Sequence, residues 1–151
     1  MIRSRPAGTA TFAVACIALT LAASGCLSST DAQPSLLRLS GTWSYTGVQT
    51  NPVRENLSGA LTISRESGMS FQGRLDLRAD NPQTGTNRVL GGLVSGSEKD
   101  ASVIDFDADV EAVARRHVGE IVADTITGTW VGSSSDGAVI SGTFRAEKES
   151  Q

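Results

Sequence analysis

One short pattern recurs along this chain and constrains its fold more than any other feature: an apolar residue, a spacer, a glycine, a spacer and a second apolar residue. It reads Leu39-Ser40-Gly41-Thr42-Trp43, Leu57-Ser58-Gly59-Ala60-Leu61, Phe71-Gln72-Gly73-Arg74-Leu75, Ile126-Thr127-Gly128-Thr129-Trp130 and Ile140-Ser141-Gly142-Thr143-Phe144. Alternation puts the apolar residues and the glycine on one face and the mostly polar spacers on the other, so each segment is a strand with one wet side. A glycine in the middle of the buried face permits bending and close approach, which a small curved sheet requires. Extending the alternation predicts eight strands, at 38–46, 57–65, 69–78, 87–96, 102–109, 114–121, 125–132 and 138–147. The fourth and sixth leave their register open, because Leu90-Gly91-Gly92-Leu93 and residues 113–122 carry apolar side chains on both parities. Eight short antiparallel strands with no helix between them predict an all-β, up-and-down barrel, with a two-sheet β-sandwich as the alternative.

The connections orient such a barrel. Those at 66–68, 97–101 and 122–124 are short, whereas 47–56 and 79–86 are longer, and the latter two hold the turn-forming pairs Asn51-Pro52 and Asn81-Pro82. Alternate connections of an up-and-down barrel lie at opposite ends, so the two long loops mark one end as the mouth. The first strand runs toward that end, and the chain therefore enters at the tight one.

Residues 1–25 read as an export leader, with Arg3 and Arg5 before an apolar run at 9–23 that ends in small residues. The run falls short of the roughly 20 apolar residues of a spanning helix, and 27–34 carry no Lys or Arg to stop transfer. Its end, Ala23-Ser24-Gly25-Cys26, resembles the bacterial lipobox. That resemblance implies cleavage before Cys26, lipidation of the Cys26 thiol and a lipoprotein of the bacterial cell envelope, periplasmic or on the outer surface. Acyl chains on Cys26 would anchor the chain to the membrane without spanning it. The chain then divides into a signal peptide at 1–25, a lipidated Cys26 with a flexible linker to residue 37, and a barrel domain at 38–148. Cys16 leaves with the leader, so the mature chain cannot form an internal disulfide. The linker reaches at most roughly 40 Å, with the mouth directed away from the bilayer.

Composition narrows the function. The net charge of -3 becomes more negative once Arg3 and Arg5 are lost, which argues against nucleic acid as a partner. A single His, and a single Cys outside the leader, leave no material for a catalytic triad or a zinc site, so neither an enzyme nor a metal or cofactor is expected. Asp105, Asp107 and Asp109 alternate with Phe106 and Ala108, but an EF-hand would need Gly and Glu where Val110 and Arg116 stand. They read as the solvated face of the fifth strand, where they also discourage edge pairing.

Trp43, Tyr45, Phe71, His117 and Trp130 are the candidate lining of a ligand pocket. The simpler reading makes the aromatic residues core. In the sixth strand one register turns Arg115 and His117 inward, where they would hold an anionic or hydrogen-bonding group. The other turns Arg116 inward. An unpaired buried Arg is costly in either register, which favours a rim or surface position for His117.

Leu39-Ser40-Gly41-Thr42-Trp43, followed by seven further short strands, resembles the start of the calycin-like barrels: lipocalins, avidins and the small periplasmic barrels that inhibit metalloproteases. In these families a Gly-x-Trp lies in or near the first strand and the Trp plugs the closed end, which implies that role for Trp43. Avidins carry a biotin-binding Asn two residues after that Trp, where this chain has Tyr45, and the inhibitor barrels usually carry a disulfide. The resemblance therefore implies the fold and no particular binding residue. Two functions follow: a membrane-anchored barrel holding a small apolar ligand in its mouth, or a filled barrel whose loops contact an envelope protein or a protease. An internal cavity of roughly 300 Å³ or more would separate the first from the second.

Overall fold

The computed structural model describes residues 39–100 and 102–150. The leader, Cys26 and the linker to residue 37 lie outside the described residues. Eight strands follow one another without a helix: β1 Gly41–Asn51, β2 Glu55–Ser67, β3 Ser70–Asp80, β4 Asn87–Glu98, β5 Val103–Val110, β6 Val113–Val122, β7 Thr125–Ser133 and β8 Val139–Lys148. Each pairs antiparallel with its neighbours in sequence, and β8 closes on β1 from Trp43↔Lys148 to Asn51↔Ser141. The fold is a closed up-and-down barrel, and the seam rules out the two-sheet arrangement.

β1 is longer than its alternation suggests. Gly47–Asn51 were expected to form a loop, yet Gly47, Val48 and Gln49 pair with Leu57, Asn56 and Glu55 on one side and with Phe144, Thr143 and Gly142 on the other. Two ladders hold a polar segment that has no strand signature of its own, which is how tertiary pairing overrides local pattern. The β1–β2 connection accordingly shrinks to 52–54, so the expected asymmetry survives only in part. At the mouth the connections are 52–54, 81–86, 111–112 and 134–138; at the other end they are 68–69, 99–102 and 123–124.

The open registers are settled. β4 turns Leu90, Gly92 and Val94 inward and leaves Val89 and Leu93 83% and 69% exposed. β6 turns Arg115, His117, Gly119 and Ile121 inward, so the expectation of a rim or surface position for His117 is wrong: its side chain is fully buried. The three aspartates of β5 point away from the core, as their alternation predicts, and Asp105 holds Arg116 from the neighbouring strand.

The closed end is sealed by the chain that enters it. Leu39 is buried and its carbonyl accepts a hydrogen bond from the Trp43 indole Nε1 at 2.8 Å, placing Trp43 as the plug. The Glu66 carboxylate accepts from the backbone N–H groups of Leu39 and Ser40 at 2.5 and 3.0 Å and from the Ser40 hydroxyl. Glu149 N–H donates to the Thr42 carbonyl, so the last strand leaves at the same end.

Above the plug, aromatic rings fill the barrel. Phe106 stacks on His117 with centroids 4.5 Å apart, Tyr45 stacks on Phe144 at 5.6 Å, and Phe71 meets Phe106 edge-on at 6.0 Å. Inward glycines make room for these rings. At Gly142 a Cβ would run into the Val48 carbonyl and stand 2.9 Å from two atoms of the Trp130 indole. The recurrent glycine of the sequence pattern is therefore a packing requirement here, the space a large ring occupies.

Candidate functional site

The five residues read from the sequence as pocket lining, Trp43, Tyr45, Phe71, His117 and Trp130, are all buried inside the barrel. They pack against one another or against further core residues, and none of them lines the mouth cavity described below. His117 shows how complete the filling is. The Arg115 carbonyl, 2.9 Å from Nδ1, can only accept, so Nδ1 carries the proton and Nε2 offers its lone pair to the Tyr45 hydroxyl at 3.3 Å. Burial is the main reason the imidazole is pushed down to about 4, with the Nδ1 bond opposing and the Arg115 charge reinforcing that shift. Burial likewise raises the Tyr45 phenol well above its ordinary range. At neutral pH the pair is therefore uncharged and internally satisfied.

An open volume lies higher, at the mouth. A cavity of about 450 Å³ is bounded by Gln49, Glu55, Arg88, Glu111 and Arg115, with Pro52, Val53 and Ile140 as apolar wall. The end of β1, the starts of β2, β4 and β6 and the β5–β6 turn supply these five polar side chains, and Ser133, Ser134 and Ser135 add hydroxyls. Arg88 bridges two of the acids, donating to Glu55 at 2.8 Å and to Glu111 at 3.2 Å. Glu111 sits in a two-residue turn with left-handed backbone at Glu111 and Ala112 (φ 54° and 61°), which holds its carboxylate over the opening.

Arg115 is the group left over. Its side chain is only 6% exposed, its guanidinium lies 5.4 Å from the Trp130 ring centroid, and the Glu111 carboxylate is 3.8 Å away. That separation is too long for a hydrogen bond. Burial lowers the guanidinium's proton affinity first and the like charge of Arg88 lowers it further, while Glu111, Tyr45 and Glu55 only partly offset this. Among the described residues, three buried side-chain polar atoms have no hydrogen-bond partner: Arg115 Nε, Gln49 Oε1 and Trp130 Nε1. Two of the three belong to residues that line the mouth, and the third lies on the ring beneath Arg115. Buried polar atoms are almost always satisfied, so their concentration here marks the site.

Sequence reasoning named Arg115 only as a partner for His117 and did not find Gln49, Glu55, Arg88 or Glu111. The inward parity of Arg115 was a usable signal, whereas Gln49 was hidden in a segment read as loop.

No family model and no curated protein matches the chain. Solved barrels do. EF1p2_mFAP2b, described as bound to DFHBI, superimposes with a TM-score of 0.61 at 13% identity, covering 78% of this chain and 96% of its own. The redesigned β-barrel mFAP1, also described as bound to DFHBI, gives 0.54 at 15% identity over 73% and 94%. A further redesigned β-barrel gives 0.51 at 18% identity over 78% and 95%. At these identities the likeness is one of fold, and it agrees with the closed eight-stranded barrel described above.

Proposed function

We propose that this chain is a ligand-binding barrel held at the membrane of a bacterial cell envelope, and that it takes up a small molecule at its mouth. A 450 Å³ cavity lined by Arg115 and Gln49, two residues that keep buried polar atoms without partners, carries the reading. A volume of that size accommodates a drug-sized molecule. Two barrels of the same fold described as bound to DFHBI support the capacity of such a scaffold for a small ligand. The polar lining favours a ligand with both polar and apolar parts over a wholly apolar one. Binding rather than catalysis is favoured because the one imidazole is spent on Tyr45 and the Arg115 backbone, beneath packed rings. Anchoring rests on the leader and Cys26, and the entry of the chain at the closed end supports a mouth that faces away from the bilayer.

Native mass spectrometry of the protein extracted from its own envelope tests this. A diacylglyceryl mass on Cys26, lost together with membrane association in Cys26→Ala, supports the anchor; a soluble, unmodified wild type removes it. A co-purifying small molecule, lost when Val53→Trp fills the cavity, supports the mouth site. The second reading, an interaction barrel, draws on the filled interior and on the exposed Val89 and Leu93 of β4. A mass without ligand, together with crosslinks from the 81–86 and 134–138 loops to an envelope protein, would favour it.

A further inference from the structure

The charges at the mouth are unevenly engaged. Glu55 and Glu111 are both hydrogen-bonded to Arg88, and Glu111 stays half exposed, where water screens it. Arg115 is buried, makes no side-chain hydrogen bond among the described residues and is steadied over the Trp130 ring. A guanidinium presents five N–H donors in a planar fork, and the partners that match this fork with two parallel bonds are a carboxylate and a phosphate. The neighbouring Glu55 and Glu111 would repel a second negative charge, which selects a monoanion over a phosphate. Gln49 donates through Nε2 to the Val53 carbonyl at 3.0 Å, and this pins its amide with Oε1 left as an unfilled acceptor. The cavity therefore offers the Arg115 guanidinium beside the apolar surface of Val53 and Ile140, with the Gln49 amide fixed next to it.

We propose that the mouth cavity binds a small monocarboxylate, whose carboxylate docks on the Arg115 guanidinium and whose body lies against Val53 and Ile140. This rests on the mouth being the binding site, and it specifies the chemical class that the site takes.

Indole-3-acetate and indole-3-acetamide make a suitable probe pair: they share a flat skeleton and an N–H donor and differ in the charge of one group. Both, together with inorganic phosphate, are titrated into the full-length protein by calorimetry. Parallel nitrogen-15 spectra follow the Arg115 Nε–H and the Gln49 side-chain amide. The acetate is expected to bind at least tenfold more tightly than the acetamide, to shift both signals, and to lose that advantage in Arg115→Met. Arg145→Gln, on the outer face of β8 and paired with Glu147, should retain it. Equal binding of acetate and acetamide, with the mouth signals shifted, would leave the mouth site standing and overturn the carboxylate. Phosphate binding as tightly as the acetate would also overturn it, in favour of an unselective anion site. Absence of any shift at the mouth would overturn both this inference and the reading it rests on. Should Arg115→Met fail to fold, the acetate-to-acetamide ratio and the Arg115 Nε–H signal of the wild type still decide.

Discussion

The two ends of this barrel solve opposite problems. At the closed end the polar groups of the entering chain are matched: the Trp43 indole by the Leu39 carbonyl, and the Leu39 and Ser40 amides by Glu66. At the mouth, Arg115 and Gln49 keep buried atoms without partners, and Glu111 occupies a left-handed turn. Satisfied polar groups and packed rings stabilise a fold, whereas unsatisfied ones cost stability and persist where binding uses them. The comparison teaches that matched polar groups and unmatched buried ones are segregated along the barrel axis.

The largest expected effect tests the sealed half. Trp43→Ala removes the plug and leaves a cavity at the closed end, and should cost about 3–5 kcal/mol in urea unfolding. A loss no larger than that of a mouth substitution would break the comparison. Next comes the pH dependence of the filled interior. His117 is held neutral in the fold and titrates near 4, while the unfolded chain takes up a proton near 6.5. The unfolded state thus binds more protons between these values, so the full contribution is present above pH 6.5 and is lost as pH falls toward 4. The loss should total about 3 kcal/mol. His117→Phe should flatten unfolding free energy over that window relative to wild type; parallel curves would show that the imidazole is not held neutral.

Smaller effects sharpen the contrast. Glu66→Ala frees two backbone N–H groups and the Ser40 hydroxyl at an exposed rim, and should cost about 1 kcal/mol in the same unfolding measurement. Arg115→Met exchanges a buried, incompletely paired charge for a side chain of similar length. It should leave stability unchanged or raise it by up to about 1 kcal/mol, since such replacements are often neutral or favourable. A loss of several kcal/mol instead would make Arg115 a structural residue and move the mouth into the same class as the closed end.

The strands were legible because one wet face and one packed face impose a period of two that no other element mimics. The second half of β1 was not, since Gly47–Asn51 become a strand only through partners on both sides, which local pattern does not contain. The register of β6 was left open, and the position of His117 was misjudged on the cost of burying Arg115. That cost is moderated where the side chain lies, beside the Trp130 ring, within reach of Glu111 and against an open cavity. The mouth cluster escaped for a different reason. Its members are brought together only by closure of the barrel, so no spacing in the sequence announces them.

Closure also sets an order of events in time. Seven of the eight pairings are hairpins joined by short connections, but the eighth must bring β1 to β8, and the Thr46 hydroxyl reaches the Arg145 carbonyl across 99 residues of sequence. The entropy of closing so long a loop places that seam last, when the hairpins have already aligned the two edges. Until it zips, the nascent protein is an open curl with two unpaired borders, and its vulnerability to self-association is concentrated in that interval.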